Sequence, residues 1–219
     1  MITLYGVYRS RASRPLWVLE ETGQPFRHVP VIQGYRLPDA TRADAPLNTT
    51  TASFRAINPQ GTIPVLEDDG LVLTESLAMT LYLARKSAGP LAPQDARETA
   101  LTDQWAFFGA TALESPGLDI LYTIGQGKAD TAEGSAKIAA ALEALARPMA
   151  RLEAHLAGRE WLIAARFTVA DLMLAECLRY AQSHGPLMAA HPATQAWITR
   201  CQARPGFQAM MAKRAAEPA

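Results

Sequence analysis

Residues 58–84 constrain the fold of this chain more than any other stretch of its sequence. Two short apolar runs, 63–66 and 71–73, are separated by acidic residues that end in Asp69-Gly70. A turn of this kind between two apolar runs favours a β-hairpin. The residues that follow are apolar at helical spacing. The stretch therefore predicts two antiparallel strands followed by a helix.

The segment Thr74-Glu75-Ser76 lies between the second apolar run and the helix. The first N–H groups of a helix have no partner inside the helix, and they carry a partial positive charge. This point therefore predicts a site for a carboxylate or a phosphate. Pro64 stands where the first strand begins, and because proline cannot donate to a sheet ladder it indicates an edge, a strand start or a bulge.

The start of the chain reads as a strand, a helix and a second strand. Residues 2–5 are apolar enough for a buried strand, and a loop over 6–13 follows. A helical pattern begins at Arg14, and Gly23 is a natural residue to end it. Residues 26–31 predict the second strand.

A polar segment rich in Pro and Thr, 33–53, separates the second strand from the hairpin. Loops of this length in small domains are usually functional, so we expect a flap over a ligand. Residues 54–57 predict a short helical turn below it. The order of elements in the first part of the chain is then βαβαββα.

A Gly-Pro-Leu-Ala-Pro sequence at 89–93 separates this part from a segment whose patterns are all helical. We therefore predict an α/β domain at 1–86, a linker at 87–93 and an all-helical domain at 94–219.

Two helical patterns characterise the second domain. An apolar stripe over 138–156 continues in phase past Pro148, so we expect the proline to kink that helix rather than end it. Thr168 and Asp171 have the spacing of a capping box before an apolar helix at 169–183, which is expected to be central and buried.

Composition excludes several classes of function. Lys+Arg and Asp+Glu both number 21, and the resulting zero net charge indicates neither nucleic-acid nor membrane binding. No apolar run is long enough to span a membrane, and arginines stand where a signal peptide needs its apolar core, so a cytoplasmic location is expected. The two cysteines are Cys177 and Cys201, so the first 176 residues contain no thiol nucleophile and glutaredoxin-type chemistry is excluded. The histidines lack metal-ligand spacing, so we expect no metal.

The hairpin with its Glu75-Ser76 pair resembles the glutathione-binding half of the cytosolic glutathione transferases. The Thr168-x-x-Asp171 box resembles the one that opens the core helix of their helical domain. The two likenesses stand in the right order and, with the linker, cover nearly the whole chain. The resemblance implies a thioredoxin-like domain followed by a helical bundle, a cis bond before Pro64, and a twofold homodimer.

The loop after the first strand supplies the candidates for the residue that contacts the glutathione sulfur. In the serine-using classes, such as theta and delta, a Ser-x-x-x-Arg pattern carries that serine, and Ser10 with Arg14 matches it. The chain thus resembles a bacterial, serine-type member of the family. Tyr5 stands where the tyrosine-using classes keep their hydroxyl, so it is the second candidate. The remaining alternatives are Ser13, Tyr8 or none of these residues, since Ser13 is also a good helix N-cap and Ser10 can equally be an ordinary loop hydroxyl.

One donating hydroxyl is sufficient for the chemistry that the resemblance implies. A free thiol has a pKa of about 8.5. Lowering that pKa by two units requires about 2.7 kcal/mol of differential stabilisation of the thiolate. A hydrogen bond to a charged acceptor supplies roughly 1.5–3 kcal/mol, and a helix N-terminus adds about 0.3–1 kcal/mol. Neither a metal nor a general base is required.

The resemblance also implies how the rest of glutathione, the co-substrate, is held. Ser76 and the helix start take the γ-glutamyl carboxylate, Glu75 pairs with the ammonium group, and the backbone of Ile63 before Pro64 pairs with the cysteinyl residue.

The residue expected to hold the glycine carboxylate of glutathione departs from the pattern of the family. Many relatives have a lysine where this chain has Thr62, and that lysine meets the glycine carboxylate of glutathione. Arg11, Gln60 or flap residues near Asn48 are the candidates to replace it.

The second substrate would be a small hydrophobic electrophile or a peroxide, and we expect Tyr8, Trp105, Phe108 and Ser115 to line its pocket. Trp105 and Phe108 fit the apolar face of their helix equally well as core residues. The predicted function is that of a glutathione transferase. Two alternatives use the same scaffold: a glutathione-dependent isomerase, whose Ser-Ser-Cys run is absent here, and a non-catalytic binding or assembly module.

Overall fold

A computed structural model describes residues 1–217 of the chain. The chain divides into two compact units. The first contains Met1–Gly89 together with the residues from Arg204 onward, and the second contains Pro90–Ala203. The boundary after residue 89 lies within the predicted linker. The C-terminal segment differs from the expectation of a helical domain over 94–219, because it belongs to the first unit.

The first unit is a four-stranded sheet with helices. Its strands run in the order β2-β1-β3-β4, with β1 parallel to β2 and antiparallel to β3, and with β3 antiparallel to β4. The elements in chain order are β1 (Ile2–Tyr5), α1 (Ser13–Thr22), β2 (Phe26–Val29), α2 (Ala52–Ile57), β3 (Val65–Asp68), β4 (Leu71–Leu73) and α3 (Ser76–Ser87). This is the predicted βαβαββα order.

The hairpin is confirmed, with β3 and β4 joined through Asp69 and Gly70. Both turn residues have positive φ, 49° and 88°, which is the left-handed conformation that such tight turns require. The peptide bond between Ile63 and Pro64 is cis. β3 begins at Val65, two residues after the start of the apolar run.

The C-terminal helix α10 (Pro205–Ala216) packs on α1. Trp17 of α1 is buried and meets Phe207 edge to face, with ring centroids 4.8 Å apart. Gly206 allows the close approach, because a Cβ at this position would lie 2.7 Å from the Cα of Glu21. Glu21 also pairs with Arg204. These contacts explain why the segment belongs to the first unit.

The segment predicted as a flap is internally bonded. It contains a 3-10 turn at Gly34–Arg36 and an isolated bridge between Ile32 and Asn48. Asn48 is buried; its Nδ2 donates to the carbonyls of residues 40 and 46, and its Oδ1 accepts from the N–H and hydroxyl of Thr50. The segment thus holds a defined conformation, and its role as a flap stays a prediction.

The second unit is helical, as predicted. Its α-helices are α4 (Ala96–Phe108), α5 (Glu114–Gly125), α6 (Ala132–Leu156), α7 (Val169–Leu178), α8 (Gly185–Ala189) and α9 (Pro192–Gln202). A π-helical turn, Gly109–Leu113, joins α4 to α5. α6 continues through Pro148, as the apolar stripe indicated. Within residues 1–217, no helix combines the length and the apolar character needed to cross a membrane.

The predicted capping box opens α7, every residue of which is buried. Asp171 accepts the N–H and the hydroxyl of Thr168 on one carboxylate oxygen. Its other oxygen accepts the N–H of Leu162 and the indole N–H of Trp197. α7 ends at Leu178 and not at 183 as predicted, since a separate 3-10 turn follows it.

Candidate functional site

Gly6 brings two parts of the predicted site together within the first unit. It follows β1 with φ of +143°, a backbone conformation that residues other than glycine rarely adopt. A Cβ on Gly6 would lie 3.1 Å from the Cβ of Ala12, 3.6 Å from the Cβ of Ile63 and 3.6 Å from the Cα of Pro64. The loop that carries Ser10 therefore lies directly beside the cis-proline segment.

The Ser10 hydroxyl is part of the turn that leads into α1. Its Oγ donates to the carbonyl of Val7 at 2.7 Å and accepts the N–H of Ala12 at 3.0 Å. Ser10 is partly exposed. The expectation that Ser13 caps α1 is wrong, because the helix begins at Ser13 and its cap residue Ala12 already has helical backbone angles.

Arg14 links α1 to the start of α3. Both Arg14 and Ser76 are buried, and Nη1 of Arg14 donates to Oγ of Ser76 at 2.9 Å. Ser76 is the first residue of α3, and Glu75 before it is exposed with φ of +66°. The residue pair predicted to hold the γ-glutamyl group thus lies at a helix start beside a guanidinium group.

Tyr5, the second candidate for the contact to the glutathione sulfur, has its hydroxyl hydrogen-bonded within the sheet. The hydroxyl donates to the carboxylate of Glu67 on the neighbouring strand at 2.8 Å. Burial and this carboxylate raise the pKa of Tyr5 above its ordinary value. The ring packs against Phe54, with centroids 6.4 Å apart.

Thr62 and the candidates to replace the missing lysine differ in their exposure. Thr62 is exposed, and Nδ2 of Asn58 donates to its carbonyl and its hydroxyl at 2.8 and 3.1 Å. Gln60 and Arg11 are also exposed. Both ends of the Asn48 amide are hydrogen-bonded within its own loop.

Arg55 of α2 is a further cation in this region. Its Nε donates to the carbonyl of Thr49 at 3.4 Å, and it would lie 3.5 Å from a Cβ at Gly61. The guanidinium group therefore stands beside the residue that precedes Thr62. Since α2 brings it there, no spacing pattern around Thr62 signals it.

Tyr8 lies next to a cavity of about 510 Å³ within the first unit. The Tyr8 side chain is buried and meets His28 edge to face at 5.1 Å, and burial raises its pKa, with Glu20 adding to the effect. The apolar walls of the cavity are Val7, Tyr8, Pro30, Ile32, Leu37 and Ala216. Its polar lining is His28, Arg9, Arg36, Lys213 and Glu217.

The end of the C-terminal helix is bonded to this loop. The N–H groups of Tyr8 and Arg9 donate to the two carboxylate oxygens of Glu217 at 2.6 and 2.9 Å. Nη1 of Arg214 donates to the carbonyl of Tyr8. Nη2 of Arg36 donates to the carbonyl of Arg9 at 3.1 Å. The backbone just before Ser10 is thereby held by charged side chains, a feature that the sequence analysis did not anticipate.

The other residues predicted for the electrophile pocket lie in the second unit. Trp105 is 2% exposed and meets Phe108 edge to face at 5.4 Å. The guanidinium group of Arg151 lies over both rings, 5.3 and 4.6 Å from their centroids. Ser115 is exposed on α5. The burial of Trp105 fits the alternative that it is a core residue.

Among residues 1–217, no group of three or more His, Cys, Asp or Glu side chains is arranged to hold a metal ion. The candidate site within the first unit has two distinctive parts. One is a helix start with Ser76 beside Arg14, and the other is a hydroxyl-bearing loop packed on a cis-proline strand. A thioredoxin-like sheet with this combination, followed by a helical unit, is the architecture that the resemblance to the glutathione transferases implies.

The comparisons with known proteins identify the family. The model of the glutathione S-transferase N-terminal domain matches residues 4–91, and that of the C-terminal domain matches residues 99–205. Glutathione S-transferase 3 from Zea mays is 31% identical over 225 residues, covering 96% of this chain and 93% of that protein. Glutathione S-transferase D7 from Anopheles gambiae is 32% identical over 152 residues, covering 68% of this chain and 66% of that protein.

Among solved structures, the glutathione-bound theta-class glutathione S-transferase from Xanthomonas axonopodis pv. citri is similar, with a TM-score of 0.71 and 30% identity. The match covers 95% of each chain. The chain belongs to the glutathione S-transferase family. The predicted fold class is confirmed, and the isomerase and non-catalytic alternatives are not favoured.

Proposed function

We propose that this protein is a serine-type glutathione transferase, which binds glutathione as a thiolate and directs it at a small hydrophobic electrophile. The observation that carries the proposal is the position of Gly6, which packs the Ser10 loop against the Ile63–Pro64 segment. A peptide thiol that pairs with the backbone of Ile63 would thus have its sulfur near that loop. We also propose that the protein is cytoplasmic and forms a homodimer. The apolar side chains of Leu71 and Val72, which are exposed on edge strand β4, support the dimer.

Ser10 is the residue we assign to the sulfur. Its hydroxyl now donates to the carbonyl of Val7, a neutral acceptor, while the N–H of Ala12 donates to it. Rotation of the hydroxyl hydrogen toward a thiolate would replace a neutral acceptor with a charged one, and the N–H of Ala12 would keep the oxygen in place. Hydrogen bonds to charged groups are the stronger kind. Tyr5 ranks second because its hydroxyl is already donated to a carboxylate.

Ser76 and Glu75 are the residues we assign to the γ-glutamyl group. Ser76 accepts a hydrogen bond from Arg14, so its own hydroxyl hydrogen is available to a carboxylate at the start of α3. The guanidinium group adds positive charge at the same place. Glu75 is exposed beside it and suits the ammonium group.

Arg55 is the residue we add for the glycine carboxylate, in place of the lysine that Thr62 replaces. Its guanidinium group lies beside Gly61, and its hydrogen bond to the Thr49 carbonyl is long at 3.4 Å, so little is lost when it turns to a ligand. Arg11 and Gln60 remain the alternatives from the sequence.

The test of the proposed function combines titration calorimetry with an ultraviolet scan for bound thiolate. We expect Ser76→Ala to weaken glutathione binding about tenfold, the loss of one hydrogen bond to a charged group. Ser10→Ala should raise the pKa of the bound thiol by about one to two units with little change in affinity. Tyr5→Phe should leave that pKa unchanged. A wild type that binds no glutathione refutes the proposal, and a pKa moved by Tyr5→Phe alone transfers the role to Tyr5.

Binding of γ-glutamylcysteine separates the glycine anchor from the rest of the site, because this dipeptide lacks the glycine carboxylate. Arg55→Gln should weaken glutathione about tenfold and leave γ-glutamylcysteine unaffected. Arg42→Gln is the matched control, since Arg42 is exposed and pairs with Asp44 within its own loop. Equal effects of Arg55→Gln on both peptides would remove Arg55 from the site, and Arg11→Gln would then be tested.

A further inference from the structure

The N–H groups of Tyr8 and Arg9 form a carboxylate site made of backbone. They donate to separate oxygens of Glu217, at 2.6 and 2.9 Å, so the carboxylate is held at both ends. Hydrogen bonds from N–H groups to a carboxylate are charge-assisted and stronger than those to a neutral acceptor, so this pair of donors favours an anion. Glu217 follows Ala216, the last residue of α10, so its side chain can leave this position without disturbing the helix.

The cavity beside this carboxylate site is apolar in its walls and cationic in its polar lining. Arg9, Arg36 and Lys213 face it, against one acid, Glu217. Lys213 is neutralised by Glu20. Arg36 is exposed, and its guanidinium group donates to a backbone carbonyl, that of Arg9. Among residues 1–217 it has no carboxylate within ion-pair distance, so its positive charge adds to that of the cavity. An apolar cavity with surplus positive charge suits a ligand that is itself apolar and carries a negative charge.

We propose that the cavity takes the electrophilic substrate, and that this substrate is an apolar molecule with one carboxylate or similar anionic group. The anionic group lies against Arg36 and takes the N–H groups of Tyr8 and Arg9 from Glu217. Glu217 holds the place proposed for that group and keeps the backbone donors satisfied. The inference rests on the proposed function, because it names the substrate class of the same site.

The position of the cavity relative to the sulfur supports this assignment. Val7 lines the cavity and its carbonyl is the present acceptor of the Ser10 hydroxyl. A substrate in the cavity therefore lies next to the group assigned to the thiolate. In an aromatic substitution, the thiolate sulfur bonds to the ring carbon that carries a halogen, the halide leaves with the bonding electron pair, and the thiol proton goes to solvent.

A matched pair of electrophiles tests the charge requirement. 4-Chloro-3,5-dinitrobenzoate and 4-chloro-3,5-dinitrobenzamide share the ring, the leaving group and nearly the same size, and they differ in charge. The quantity measured is the ratio of kcat/KM for the acid to kcat/KM for the amide, with glutathione saturating. Activity differences common to both substrates cancel in this ratio.

We expect the wild type to favour the acid. Arg36→Gln should lower the ratio about tenfold, as for the loss of one charge-assisted contact. Glu217→Gln should raise the ratio about threefold to tenfold, because the competing carboxylate is gone. Arg42→Gln, the exposed control, should leave the ratio unchanged. Titration with 3,5-dinitrobenzoate, which has no leaving group, should show the same order of affinities without turnover.

The inference is overturned if the ratio is the same in wild type, Arg36→Gln and Glu217→Gln, or if Glu217→Gln lowers it. Turnover of the amide with no preference for the acid would refute the inference and leave the proposed function standing. Absence of turnover of both electrophiles, together with absence of glutathione binding, would instead refute the proposed function.

Discussion

Replacing Asp171 with alanine tests the buried network on which the start of α7 depends. The carboxylate is fully buried and accepts four hydrogen bonds at 2.9–3.0 Å. Three of the donors are N–H groups, from the backbone of Leu162 and Thr168 and from the indole of Trp197. The alanine variant leaves these three groups without that acceptor in the interior.

The cost follows from the number of donors affected. A buried donor that loses its partner costs about 1–3 kcal/mol, so three donors give a lower limit of about 3 kcal/mol. Loss of an N-cap contact alone typically costs about 1 kcal/mol. We therefore expect Asp171→Ala to lower the free energy of unfolding of the protein by about 3–5 kcal/mol, in the range of broken buried networks.

Urea unfolding followed by tryptophan fluorescence measures this loss. Asp95→Ala is the matched control, because Asp95 caps α4 through one hydrogen bond, to the N–H of Glu98 at 2.7 Å, in an exposed position. We expect that control to cost about 1 kcal/mol. If Asp171→Ala costs no more than Asp95→Ala, the argument from buried unpartnered donors is wrong. In a double-mutant cycle, Trp197→Phe should cost less in the Asp171→Ala background than in the wild type.

Two further predictions concern the first unit. The hydrogen bond from Lys86 holds the pKa of Asp68 below its ordinary value, so this pair stabilises the fold above about pH 4 and the stabilisation is lost as the pH falls through the lowered pKa. Asp68→Asn should therefore flatten the acid side of a plot of urea midpoint against pH, and an unchanged slope would contradict this. Gly206→Ala should destabilise the protein by about 1–3 kcal/mol, because its Cβ would press on the backbone of α1; an unchanged thermal midpoint would argue against that packing.

The hairpin and the start of α3 could be predicted from the sequence because their signals are local. The turn residues Asp69 and Gly70 have the positive φ that their types favour. Pro64 was expected at a strand start, and β3 begins one residue after it. The capping box of Thr168 and Asp171 likewise uses partners three residues apart. In each case one short segment contains both the cause and the structure.

The bonds from Asp171 to Leu162 and Trp197 are different, because their partners are 9 and 26 residues away. The contact between Tyr8 and Glu217 spans 209 residues, and no periodicity or motif predicts it. Arg55, which we propose for the glycine carboxylate, comes to lie beside Gly61 through the packing of a short helix. The prediction that Ser13 caps α1 fails for a local reason. The turn held by the Ser10 hydroxyl continues directly into α1, so Ser13 already lies inside the helix and does not precede it in an extended conformation.

The placement of α10 follows from charge as well as from apolar packing, and this determines what the Ser10 loop can do. Glu20 and Glu21 at the end of α1 pair with Lys213 and Arg204 at opposite ends of α10, which fixes the helix along its length. Glu217 is then delivered to the backbone next to Ser10. The loop donates its N–H groups to this carboxylate of its own unit, and these bonds hold the loop in one conformation. In the complex that we propose, an incoming anion would replace one carboxylate with another, so binding energy would not be spent on ordering the loop.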